Sequence, residues 1–211
     1  MIDKACDYLV DKIQNNMPEV DDERAEIIKY GLELIIGETP KIILLLVIAF
    51  ILKVGWLVLF AYFVMLPYKI VAGGFHLKTH IGCFIGTCLV YIGIPELSKY
   101  LIWNPLYSKY IAIGIIWIFA MIMISIYAPA DTTNVPILRK KERKTKKILS
   151  YIFATAMIVG TLIIKNNTLL NILLFNVLVE SFSISRLAYK LTKNEYGYEL
   201  YCKQEAQEMI D

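Results

Sequence analysis

The stretch "KIILLLVIAFILKVGWLVLFAYFVMLPYKIVAGG", residues 41–74, decides the fold. As one helix, the 31 residues from Lys41 to Val71 would reach about 46 Å, against a bilayer hydrocarbon core of about 30 Å. Lys53 and Gly55 lie near its middle. An ammonium group inside lipid is expensive, whereas one at a turn reaches water. The pattern therefore predicts two apolar arms, roughly 40–53 and 55–71, with Pro40 breaking the chain before the first.

Further apolar blocks follow at roughly 81–102, 108–127, 149–165 and 168–187, separated by "WNPLYSK", "APADTTNVPILRKKERKTKK" and "KNNT". Across the 211 residues, 57% are apolar and only 19% charged, and the mean hydropathy is +0.56. That profile excludes an ordinary soluble domain and implies an all-α, polytopic membrane protein. The expected organisation is an amphipathic helical segment at 1–37, a six-span domain at 38–190 and a cytoplasmic tail at 191–211. In the first segment Ile27, Ile28, Leu32, Ile35 and Ile36 recur at helical spacing, which suits a helix on a membrane surface or against the bundle. The start is too acidic for a cleavable signal peptide.

Orientation follows from the run "RKKERKTKK", residues 139–147, with seven basic residues and one acidic. Such a run stays in the cytoplasm. With six spans, the loop from Gly73 to His80, the basic loop and both termini share that side. A five-span arrangement moves only the N-terminal segment.

The cytoplasmic loop and the start of the following span hold both histidines of the chain, His76 and His80, and one of its four cysteines, Cys83. Thiolate is the nucleophilic form of cysteine, and a nearby imidazole can accept the thiol proton. A position near the start of a helix favours the anion further. Gly73 and Gly74 allow a sharp turn. On an unbroken helix His76 and Cys83 would share a face but lie about 10.5 Å apart along the axis, so His76 serves only if the chain folds back. His80 is nearer in sequence, and spacing does not choose between them. Cys6, Cys88 and Cys202 read as structural thiols.

The elements "YKIVAGGFH", Cys83 seven residues after His76, "APADTTNVPI" and the basic run together resemble the AgrB family of accessory gene regulator proteins. The resemblance covers nearly the whole chain. It implies a membrane cysteine endopeptidase in which His76 is the base and Cys83 the nucleophile. It assigns Asp131 to the motif's acid, orienting His76 or binding substrate, and gives orienting or binding roles to Gly73, Gly74 and Lys69. Lys69 stands where the family often has arginine, so charge is kept and the bidentate fork is lost. The implied partner is an AgrD-like propeptide with an amphipathic leader and an acidic tail. Lys140, Lys141, Arg143, Lys144, Lys146 and Lys147 are candidates for docking that tail, and also for contacting anionic lipids.

The resemblance further implies a homodimer in a bacterial cell membrane, multi-pass, with its active site at the cytoplasmic face. No metal, organic cofactor or nucleic-acid partner is expected. Two other readings compete. A non-catalytic transporter or assembly factor would leave Cys83 dispensable. A metal site built from His76, His80 and Cys83 lacks a clear fourth ligand.

Overall fold

The computed structural model describes residues 2–17, 20–75, 77, 79–133 and 136–208. Among these residues the elements are helices, and an isolated parallel bridge pairs Gly73 with Ala130. The chain forms two compact units, Met1–Leu52 and Lys53–Asp211.

In the first unit, helix α1 (Ile2–Asn16) packs with α2 (Asp22–Ile51), and Cys6, Val10 and Ala25 are buried. An ion pair joins Lys29 to Asp7. The Asp21 carboxylate caps α2 by accepting from the Arg24 amide at 2.9 Å. Of the predicted apolar stripe, Ile28, Leu32 and Ile36 are half-buried, while the side chains of Ile27 and Ile35 lie outside the described residues. Pro40 does not break the chain, contrary to expectation, but lies inside α2. Proline removes one rung of the hydrogen-bond ladder; in a 30-residue helix the remaining rungs carry on past it. The chain does turn where Lys53 indicated: α2 ends at Ile51, and Lys53 takes a φ of 60° before the next helix starts at Gly55.

The second unit contains α3 (Gly55–Ala72), α4 (His80–Tyr100), α5 (Leu106–Tyr127), α6 (Lys140–Ile163), α7 (Asn167–Ser183), α8 (Arg186–Leu191) and α9 (Gly197–Glu208). Among its described residues, four stretches are long and apolar enough to cross a membrane: Gly55–Ala72, Ile81–Tyr100, Tyr107–Tyr127 and Lys140–Ile163. The basic run, read as loop from sequence, is instead the opening of α6. Lysine, arginine and glutamate are good helix formers wherever their charges reach water. Lys146 and Glu142, one turn apart, pair at 3.0 Å.

Helix α7 is shorter, 17 residues or about 26 Å. It packs against α3, α4, α5 and α6, and ten of its residues are buried. That enclosure explains its polar side chains. The Asn171 amide donates to the carbonyls of Ser98 (3.1 Å) and Leu101 (2.9 Å), and its oxygen accepts from the Trp103 indole at 2.7 Å. Asn176 donates to the Ala61 carbonyl at 2.9 Å. Polar groups at membrane depth face protein rather than lipid, where such partners are available. Tyr68, Ile124, Leu170, Leu174 and Val177 form the apolar core around them.

Candidate active site

At the end of α3, the Gly73 amide donates to the Lys69 carbonyl at 2.9 Å and closes the helix. The next two bonds leave the helix altogether. Ala130 donates to the Ala72 carbonyl at 2.8 Å, and Gly74 donates to the Ala130 carbonyl at 2.9 Å. The "AGG" and "APAD" motifs, more than fifty residues apart, are thus two sides of one parallel bridge. Both positions require glycine. Gly73 has a φ of +81° and its Cβ would strike the Ala130 carbonyl; Gly74 has a φ of +136° and its Cβ would lie 2.7 Å from Ser183 Oγ.

Helix α4 starts at His80, with Thr79 as its cap: Thr79 Oγ1 accepts from the Gly82 amide at 3.1 Å. The Cys83 amide donates to the Thr79 carbonyl at 2.9 Å, so Cys83 sits in the opening turn as expected. Its side chain is half-buried and not disulfide-bonded. His76 lies outside the described residues, as does the side chain of His80. The neighbouring Leu77 is described, and it is not helical. Leu77 lies over Gly82 and Gly86, with its Cδ1 only 3.1 Å from where a Gly86 Cβ would be. The separation of an unbroken helix therefore does not apply, because residue 77 precedes the helix and rests on the face that flanks Cys83.

Asp131 is buried beside the bridge. Its Oδ2 accepts from the Ile137 amide and from Arg143 Nη1, both at 2.9 Å. Arg143 also donates to the carbonyls of Ile137 (3.3 Å) and Pro129 (3.4 Å), and its guanidinium lies 4.3 Å from the Tyr198 ring centre. The Tyr189 hydroxyl donates to the carbonyls of Ala130 and Asp131, each at 3.0 Å, and its ring stacks on Tyr196 at 4.1 Å. Burial, then the nearby Tyr196 and Asp131, push the Tyr189 phenol well above the ordinary tyrosine value, so it stays a donor.

Of the six candidate docking cations, Lys140, Lys141 and Lys144 are exposed. Lys146 pairs with Glu142, Lys147 donates to the Ser125 carbonyl, and Arg143 is engaged with Asp131. Lys69 Nζ, partly exposed, lies 3.5 Å from Oε2 of the fully buried Glu180. Glu180 is a buried carboxylate beside the Gly–Gly turn that the sequence reading did not single out. Its signal was there: one carboxylate in the otherwise uncharged run "NTLLNILLFNVLVESFS".

Helices of membrane-crossing length around a polar turn, with a thiol opening the next helix, define a helical membrane protein with a candidate cysteine site. The family model described as accessory gene regulator B matches residues 6–184, and the chain belongs to that family. It is 30% identical over 195 residues to an AgrB-like protein of Listeria welshimeri, covering 86% of this chain and 87% of the relative. An AgrB-like protein of Listeria monocytogenes (serovar 1/2a) is 28% identical over 190 residues, with the same coverage. The accessory gene regulator protein B of Staphylococcus aureus is 26% identical over 157 residues, covering 74% of this chain and 80% of the relative. No solved structure matches.

Proposed function

We propose that this protein is a membrane-embedded cysteine endopeptidase of quorum sensing, which removes the C-terminal tail of an AgrD-like propeptide and cyclises the core that remains. The observation that supports this most is the half-buried Cys83 thiol in the opening turn of α4, with the Leu77 side chain resting on the flanking Gly82 and Gly86. His76, three residues beyond the bridged Gly73, is the base.

Cys83 Sγ bonds to the carbonyl carbon at the end of the substrate core as its proton passes to His76. The C–N bond then breaks, His76 returns the proton to the leaving amine, and the tail departs from a thioester on Cys83. A cysteine or serine side chain of the core attacks that thioester, closing a thiolactone or lactone and releasing the Cys83 thiol. Thioester to thiolactone exchanges like for like, so the bond energy survives into the ring. A leader held on the membrane raises the effective concentration of the two ends, and a half-buried site limits competing water.

The test uses propeptide cleavage by single variants in membranes. Cys83→Ala should abolish it, while Cys6→Ala, Cys88→Ala and Cys202→Ala retain it. His76→Ala should lose about 100-fold or more and His80→Ala much less. Tail release by Cys83→Ala would overturn the thiol mechanism, and a reversed order of the histidines would reassign the base.

A further inference from the structure

Helix α8 is short and two-sided. Ala188 and Tyr189 are buried against the bundle, while Leu187 and Leu191, one turn apart, are 57% and 70% exposed. Arg186 and Lys190, also one turn apart, are exposed beside them. The helix follows directly on α7, and the Ser185 hydroxyl caps it by accepting from the Ala188 amide at 3.2 Å. Exposed leucines next to cations suit the boundary between acyl chains and headgroups. This is also the end of the bundle that carries the basic opening of α6. Arg143 lies 4.3 Å from the Tyr198 ring centre, and a Cβ on Gly197 would strike the Thr132 carbonyl.

Between α8 and α9 lies a cavity of about 190 Å³. Tyr189 and Tyr196, stacked at 4.1 Å, form one wall. Their hydroxyls are already used: Tyr189 donates to the carbonyls of Ala130 and Asp131, and Tyr196 to that of Ile184 at 2.7 Å. The Asn194 amide is spent on Thr192. The donors left to a ligand are the cations of the lining, Arg186, Lys190 and Lys203. Arg186 gives Glu199 one bond at 2.7 Å and keeps other N–H groups of its five. Lys190 and Lys203 make no ion pair among the described residues. With Glu195 and Glu199 in the lining, three cations face two carboxylates and leave one positive charge over.

That surplus matches the single negative charge of a phosphodiester. A peptide rich in acidic residues would instead meet Glu195 and Glu199 as like charges. We propose that this cavity is a headgroup site for an anionic phospholipid, whose phosphodiester sits among Arg186, Lys190 and Lys203 while its acyl chains lie along Leu187 and Leu191. The site is independent of the chemistry proposed for Cys83. Tyr189 is both its wall and the donor to the carbonyls of Ala130 and Asp131, and Ala130 is bridged to Gly73. An occupied site therefore steadies the segment that carries the bridge.

The experiment follows lipid binding to the full chain in a neutral detergent, by native mass spectrometry and by the unfolding midpoint. Dioleoylphosphatidylglycerol should be retained and should raise the midpoint, whereas dioleoylphosphatidylcholine, with the same chains, should do neither. Lys190→Gln with Lys203→Gln should weaken phosphatidylglycerol binding by about tenfold or more. Lys144→Gln with Lys193→Gln removes the same charge outside the cavity and should leave binding within about twofold. All four lysines are exposed, and midpoints without lipid check that the fold is kept. Leu187→Ser with Leu191→Ser should also weaken binding, and soluble glycerophosphate should not raise the midpoint at the concentration where the lipid does.

Equal binding of the two lipids, equal loss in the two lysine pairs, or a full response to glycerophosphate alone would each overturn the lipid site. So would a hexaglutamate peptide that displaces phosphatidylglycerol and raises the midpoint as far, which would mark the cavity as a peptide site.

Discussion

Two buried carboxylates lie beside the bridge between Gly73 and Ala130, and they are satisfied in different ways. Asp131 belongs to the segment between α5 and α6, where the chain can bend a free backbone amide toward it. The Ile137 amide and the Arg143 guanidinium both reach its Oδ2 at 2.9 Å, leaving Oδ1 as its one bare oxygen. Glu180 belongs to α7, whose amides are spent within the helix, so only side chains from other elements can serve it. It receives one ammonium at 3.5 Å and no hydrogen bond among the described residues. A carboxylate on a connecting segment can be absorbed into the architecture, whereas one on an enclosed helix keeps its capacity to bind. The first holds the "APAD" segment in place; the second has an oxygen available to a neighbour.

The largest expected effect breaks the Asp131 side of this comparison. Arg143→Met strands a buried carboxylate, and removing one partner of such a pair costs about 3–5 kcal/mol. The outcome to look for is a large fall in the unfolding midpoint in detergent and in the amount of folded protein in membranes. A variant as stable as the wild type would mean that Asp131 is no more architectural than Glu180.

Next in size is a paired measurement. Asp131→Asn loses charge-assisted hydrogen bonds worth about 1.5–3 kcal/mol. Glu180→Gln gives up no hydrogen bond shorter than the 3.5 Å ion pair, and Lys69 can turn to water, so stability should change by about 1 kcal/mol or less. The unfolding midpoint in detergent should order the two variants, with Asp131→Asn the more damaged. Equal losses of stability would erase the distinction.

The smallest effect concerns the cations at the start of α6. Arg143 is committed to Asp131, while Lys140, Lys141 and Lys144 face solvent. Replacing those three lysines by glutamine should weaken propeptide capture a few-fold at low salt and flatten its salt dependence, because solvated charges are screened over about 8 Å at physiological ionic strength. Cysteine labelling checks that topology is kept. Equal capture and an equal salt response would leave these lysines as anchors of orientation alone.

Much of this was legible from local signals. Lys53 marked a turn because a charge inside lipid is expensive, and the chain turns there. Cys83 was placed near the start of a helix from the apolar block that opens at about residue 81, and it lies in the first turn of α4. Pro40 misled because the rule that proline ends helices describes a local preference, which a long helix overrides. The basic run misled because a high density of charge was taken for loop, although its residues favour helix. The pairing of Arg143 with Asp131 and of Lys69 with Glu180 depends on which helices meet, which no local pattern encodes. Glu180 was visible as an isolated charge but carried no motif to single it out.

The enclosure of α7 has a consequence for how the protein is made. Helices α3 to α6 leave the ribosome before α7, and the carbonyls that will receive Asn171 precede it by about 70 residues. At about 5–20 residues per second, those acceptors wait some 4–14 s for their donor. The helix with two buried asparagines and a buried glutamate is costly to leave in lipid on its own, and it enters a membrane where the groups that satisfy it already stand. Until then, Lys69 has no counter-ion at Oε2 and the Gly–Gly turn has no carboxylate beneath it. A half-made chain therefore lacks its central polar helix, and the Asn171 hydrogen bonds and the Lys69–Glu180 pair form only when that helix slots in among the others.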